Sequence, residues 1–181
     1  FIPKAFSAKF EQSYKSALTG KEKKSKGSLD YKYPGSIKLE TTTPESLTYM
    51  SDNKKTWYYT PPFIPGEAGQ VSIQQSSKNS LTKFLDLLRK GLKSNKYYSV
   101  KNIKDSSMVN FKKSAQKDLG VKSAKLFFKG KNRNFSSISK IVMTQVDKKV
   151  KTLKLSKINT APKFKKSYFV FKVPKNTKIN R

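Results

Sequence analysis

Between Leu29 and Leu39 the chain alternates one residue at a time between apolar and polar. Leu29, Tyr31 and Tyr33 are separated by Asp30 and Lys32, and Ile37 and Leu39 by Lys38. A period of two puts successive side chains on opposite faces of a strand, so this pattern belongs to a sheet that is greasy on one side and wet on the other. Pro34-Gly35 between the two runs is a turn signal, because Pro presets φ and Gly accepts positive φ. The segment is expected to be an antiparallel hairpin.

The pattern recurs. Phe6 to Phe10 opens a first strand, and Lys21 to Gly27 reads as a charged hairpin loop. Leu47 and Tyr49 lead into the turn-rich Ser51-Asp52-Asn53-Lys54, then Thr56 to Tyr59, and Val71 with Ile73 resumes the alternation. Prolines 61, 62 and 65 mark a loop that cannot sit inside a sheet. Further short strands are expected at Tyr97–Val100, Met108–Phe111, Ala124–Phe128, Ile138–Val146 and Lys151–Leu155. Tyr168–Val173 is expected to close the sheet with Phe169 and Phe171 on one face. The exception is Ser80 to Lys93. Leu81, Phe84, Leu85, Leu88 and Leu92 there follow helical spacing, with Ser80 as N-cap and Gly91 near the end. That helix reads either as core packed on the sheet or as a lid over a cavity.

The expected fold is mainly β in a single domain spanning residues 1–181. About ten or eleven short strands and one helix are expected, and a single sheet that long must curl or close. One helix is too little mass to cover the inner face of such a sheet. The space left over suits an apolar ligand.

Composition narrows the function. The 181 residues include no Cys and no His, so the usual nucleophile–base pairs and the commonest metal ligands are missing. The 11 acidic residues are scattered rather than paired. No catalysis, metal or cofactor is expected. No apolar run approaches the roughly 20 residues of a membrane helix. The net charge of +29 draws the chain toward anions. From residue 119 to the end there are 18 Lys or Arg and one acid, Asp147. A nucleic-acid surface is the natural rival reading. Against it, Lys far outnumbers Arg, and the aromatics tend to fall on the apolar face while a stacking platform needs both on one face.

The order of motifs is similar to the outer-membrane lipoprotein carrier (LolA) family over nearly the whole chain. Phe6-Ser-Ala-Lys-Phe10-Glu-Gln12 resembles the family's F-x-A-x-F-x-Q opening, and Gly27 to Gly35 its second strand and proline turn. Pro44-Glu45, then Ser51-Asp52-Asn53-Lys54 and Trp57-Tyr58-Tyr59-Thr60-Pro61, resemble its S-D-G-K and W-x-Y-x-P signature. Asn159, Phe169-Val170-Phe171 and Pro174 resemble its closing strand.

The resemblance implies an incomplete, strongly curved antiparallel barrel of about 11 strands with a helical lid over a hydrophobic cavity, and a periplasmic monomer. It would accept triacylated lipoproteins from an inner-membrane ABC transporter and pass them to an outer-membrane acceptor. Ile37, Leu39, Tyr49 and Trp57 match cavity-side positions of the family. With them, Leu29, Tyr31, Leu47, Tyr59, Val71, Ile73, Leu85, Leu88, Met143, Phe169 and Phe171 form the expected lipid-binding set. A carrier or sensor of another lipid on the same half-barrel is the alternative.

Two departures stand out. The family usually has an Arg before the turn proline, where it holds the lid, and here that residue is Tyr33, the expected lid contact. The family also opens with a lid helix. Here the first strand pattern starts at Phe6, so that helix is expected to be missing or trimmed.

Overall fold

A computed structural model of the chain describes residues 1–15, 20–75 and 80–180. The described residues form twelve strands and two short α-helices. In chain order they are β1 (Ala5–Lys15), β2 (Glu22–Lys32), β3 (Ser36–Thr43), β4 (Leu47–Asp52), β5 (Lys55–Thr60), β6 (Gly69–Gln75), α1 (Ser80–Leu88), β7 (Tyr98–Ile103), β8 (Ser106–Phe111), α2 (Lys113–Leu119), β9 (Val121–Phe128), β10 (Ile138–Gln145), β11 (Val150–Asn159) and β12 (Thr177–Asn180). All twelve strands belong to one sheet, in the order β12-β6-β5-β4-β3-β2-β1-β11-β10-β9-β8-β7. β7 and β12 lie at opposite edges, so the sheet curls without closing.

The turns do what their residues dictate. Pro34-Gly35 joins β2 to β3, with Gly35 at a φ of 69°. Asn53 takes a φ of 76° between β4 and β5, and Asp52 Oδ1 accepts the backbone N–H groups of Lys54 and Lys55, each at 2.8 Å. This is the Asx chemistry that makes Asp and Asn turn formers.

One face of the sheet carries the main core. Phe6, Ala8 and Phe10 of β1, Leu29 and Tyr31 of β2, Ile37 of β3, Tyr49 of β4, Val109 and Phe111 of β8, Leu126 of β9, Ile141 of β10, and Leu153 and Leu155 of β11 form one buried cluster. Phe84, Leu85 and Leu88 of α1 and Ala115 and Leu119 of α2 join it. Both helices therefore lie on this inner face.

Four expectations are corrected. Lys21–Gly27 is not a loop, since β2 runs from Glu22. Its charged half pairs along β1, with Ser13 opposite Lys24 and Lys15 opposite Glu22, so backbone pairing overrides a poor strand composition. A second helix, α2, follows β8 and ends on Gly120, whose φ of 66° accepts the left-handed cap. Tyr168–Val173 is not a strand. After β11 the chain leaves the sheet, crosses its outer face, and returns as β12, which lies parallel to β6. The sheet is thus not wholly antiparallel. Finally, β5 and β6 bury their apolar side outward. Met50, Trp57 and Val71 form a separate cluster there, with Tyr59, Ile73 and Phe171 packed against it.

Gly27 sits where β2 and β3 shift register, and a Cβ there would overlap the Glu40 carbonyl. Replacing Gly27 with Ala is expected to cost about 1–3 kcal/mol in urea unfolding, the usual range for overpacking. An unchanged midpoint would mean that the two strands separate without penalty.

Candidate functional site

The inner face divides into a covered end and an open end. At the covered end α1 joins the buried cluster that holds Phe6, Tyr31, Ile37 and Leu126, each fully buried, and its Phe84 ring stands 6.0 Å from that of Phe111. Phe84, Leu85 and Leu88 supply the contact, each worth about 1.5–3 kcal/mol of burial.

A polar latch fixes the helix. The Tyr31 hydroxyl donates to Asp86 Oδ1 at 2.6 Å, and the Gly35 N–H donates to the same oxygen at 3.3 Å. Burial, and then the hydrogen bond to Asp86, push the Tyr31 phenol far above the usual tyrosine range. Its proton therefore stays in place as the latch donor. Just past α1, the Arg89 guanidinium lies 4.5 Å from the Tyr33 ring centre, and its Nη1 donates to the Ile2 carbonyl at 3.3 Å. Tyr33 thus contacts the residue that follows α1. The cation sits on the helix side and the aromatic ring on the strand side. The Tyr98 hydroxyl closes the far end on the Gly91 carbonyl at 2.6 Å.

At the open end a cleft of about 370 Å³ follows the inner face. Phe10, Gln12, Ser25, Leu39, Thr41, Leu47, Thr60 and Lys151 line it, with Pro44 to Ser46 at the rim. Its size lies at the low end of the 300–1,000 Å³ of small-molecule pockets. A void of about 40 Å³ lies beyond it at the start of α1, shared by Gln12, Leu81, Met143, Lys151 and Leu153. Moving α1 aside would add the covered wall to the cleft. Two other hollows, of about 400 and 490 Å³, mix charged and uncharged side chains, and the larger lies between α1 and α2 beside Tyr33, Leu87, Tyr97 and Leu119.

The strand register decides which expected residues meet here. Leu29, Leu39, Tyr49 and Tyr58 lie opposite one another in turn, as do Tyr31, Ile37, Ser51 and Thr56, and residues directly opposite share a face. Leu29, Tyr31, Ile37, Leu39, Leu47, Tyr49 and Met143 are therefore inner-face residues, and Leu85 and Leu88 of α1 belong to the buried cluster on that face. Trp57, Tyr59, Val71 and Ile73 are not. They alternate with the inner Thr56, Tyr58, Gln70, Ser72 and Gln74 and face outward. The hairpin at Asn53-Lys54 places Tyr58, not Trp57, across from Tyr49. A one-residue offset flips every side chain.

Phe169 and Phe171 lie on the outer strap. Phe169 packs edge-on against Phe164 and Tyr168, and Phe171 stands 5.2 Å from the Tyr59 ring. The Tyr168 hydroxyl ties the strap to Asp30 at 2.7 Å.

Sequence reasoning missed Phe10 and Lys151. Phe10 is one of the F-x-A-x-F pair, and Lys151 sits two residues before the inward Leu153, so period two marks both. Lysines also occupy the outer face of β9 to β11. Lys125 and Lys140 there lie 5.1 and 4.2 Å from the Phe127 ring centre. Phe127 thus departs from the separation of rings and lysines, but a single ring is no stacking platform. Among the described residues no helix is long and apolar enough to cross a membrane, and no group of three acids is placed to hold a metal.

The family model of the outer membrane lipoprotein carrier protein LolA matches residues 3–172. The chain belongs to the LolA family. It is 26% identical over 175 residues to the outer-membrane lipoprotein carrier protein of Aeromonas salmonicida (strain A449), covering 97% of this chain and 81% of that protein. Its fold is similar to the crystal structure of an uncharacterized conserved protein from Thermus thermophilus, at 10% identity and a TM-score of 0.53, covering 99% of this chain and 91% of the other. A LolA superfamily protein from Nitrosomonas europaea matches at 11% identity and a TM-score of 0.51, covering 94% and 92%. The curved sheet and inner-face helix are thus the LolA-superfamily fold. In this member the latch is Tyr31 with Asp86, supported by Arg89 on Tyr33.

Replacing Asp86 with Ala removes a charged acceptor from a buried hydroxyl. The expected cost is about 1.5–3 kcal/mol in urea unfolding, together with tighter binding of a fluorescent acyl probe, because α1 then competes less for the wall. Unchanged stability and affinity would remove the latch from the account.

Proposed function

We propose that this chain is a periplasmic carrier of lipoprotein acyl chains. It takes triacylated lipoproteins released by an inner-membrane ABC transporter and delivers them to an outer-membrane acceptor, acting as a monomer and without catalysis. The observation that carries this reading is the apolar inner wall, part open as a cleft and part held under a single latched helix.

The energetics suit a carrier. Each buried methylene is worth about 0.8 kcal/mol, so a long acyl chain in a permanently open trough would bind too tightly to leave. Here Phe84, Leu85 and Leu88 must leave the wall before cargo fills it, and their return favours release. Net affinity is the difference between two burials of similar size. A small advantage on the acceptor's side is then enough to direct transfer. The lysine-rich outer face would steer the carrier toward acidic patches on its partners or anionic headgroups.

The test is release of newly made lipoproteins from spheroplasts. Leu39→Glu puts a charge into the cleft wall and is expected to lower release by about tenfold or more while the protein stays folded, since a charge facing acyl chains costs well over 1.4 kcal/mol. Folded Leu39→Glu protein with full release activity would refute the assignment of the cleft to acyl chains.

A further inference from the structure

Lys151 is the charged residue that a purely apolar carrier leaves unexplained. On the inner face it lies opposite Tyr14 of β1 and Met143 of β10, two residues before the buried Leu153. It is half-buried and lines both the cleft and the small void beside α1. Lys149 and Lys38, by contrast, project elsewhere and pair with Asp147 at 2.7 Å and Glu40 at 2.9 Å. Lys151 has no ion pair and no hydrogen bond among the described residues. Burial pushes its ammonium below the usual lysine range, and no carboxylate offsets that. The cleft's own acid, Glu45, is exposed on the rim and does not pair with it.

Withdrawing a cation from water without a partner is unfavourable, and an anion brought by a ligand would relieve it. The same cleft offers neutral hydrogen-bonding groups, Gln12, Ser25 and Thr41. Phe10, Leu39 and Leu47 give it an apolar wall. One cationic end and one oily trough describe a site for an anionic amphiphile.

We propose that the cleft binds an acyl chain that ends in an acid group, carboxylate or phosphate, and that the Lys151 ammonium pairs with that acid. This rests on the assignment of the cleft to acyl chains and adds a headgroup preference to it. The carrier would then move anionic single-chain or diacyl lipids as well as lipoproteins, or hold one in the cleft until cargo displaces it.

The test compares a fluorescent polyunsaturated fatty acid with its methyl ester, titrated into the full chain at high salt so that the general positive field is screened. The wild type is expected to bind the acid about tenfold more tightly than the ester, the size of one charge-assisted hydrogen bond. Lys151→Met is expected to erase that preference by weakening acid binding alone, and Lys151→Arg to keep it. Inorganic phosphate at millimolar concentration is expected not to displace the acid, which separates a lipid headgroup from a free anion. Equal affinity for acid and ester, or a preference that survives Lys151→Met, would overturn the headgroup assignment and leave the carrier reading standing. Displacement by inorganic phosphate would overturn it in favour of a free-anion site. Failure of both amphiphiles to bind would overturn the cleft assignment itself.

Discussion

Coverage of the inner face is the constraint on which this molecule turns. A curved sheet of this many strands presents more apolar surface than two short helices can hide. The chain meets the problem in two ways. At one end α1 and α2 cover the wall and Tyr31, Asp86 and Gly35 latch α1 down. At the other the wall is left as a cleft edged by Gln12, Thr41 and Lys151. The latch is small beside the apolar contact it secures, a few hydrogen bonds against three buried side chains. It sets the position of α1, and the burial sets how strongly α1 holds. A helix held mainly by non-directional burial can give way to another apolar body of similar area.

The outer face solves a different problem. β5 and β6 carry polar groups inward, so their rings, Trp57 and Tyr59, turn out and need cover of their own. The strap from residue 160 to 176 provides it through Phe171, with Tyr168 fastened to Asp30. β12 then pairs along β6 and protects an edge that would otherwise be open to other chains. The strap and β12 thus fasten this half of the sheet, and α1 is the element proposed to move. The positive charge lies largely outside the apolar clusters, as on the outer face of β9 to β11, where it acts on encounter and not on folding.

Much of this was legible in the chain itself, and the failures have physical causes. The β2–β3 hairpin showed clear alternation on either side of Pro34-Gly35, and α1 showed helical spacing from Leu81 to Leu88. Both are local signals. α2 was missed because seven residues carry too few apolar positions, although Phe111, Ala115 and Leu119 before Gly120 hold the spacing. The charged start of β2 looked like a loop because its strand state comes from pairing with β1, which no local pattern shows. Trp57 was placed inward because greasy residues were assumed to share one face. Three rings in a row, at 57 to 59, defeat that assumption, and counting across the Asn53-Lys54 turn from Tyr49 would have corrected it. The strap's Phe169 and Phe171 alternate like a strand yet pack in a turn and an extended crossing. The family resemblance carried the half-barrel, its covering helix and the replacement of the usual arginine by Tyr33, but not the Arg89 guanidinium that lies over that ring.

The central claim is that α1 and cargo occupy the same wall by turns. Amide hydrogen exchange on the chain, free and loaded with an acylated lipoprotein, measures this directly. The account expects amides of residues 80–88 to exchange faster in the loaded protein while those of β1 to β3 stay protected. Loaded protein with α1 as protected as before would contradict it, since cargo would then sit somewhere other than beneath that helix.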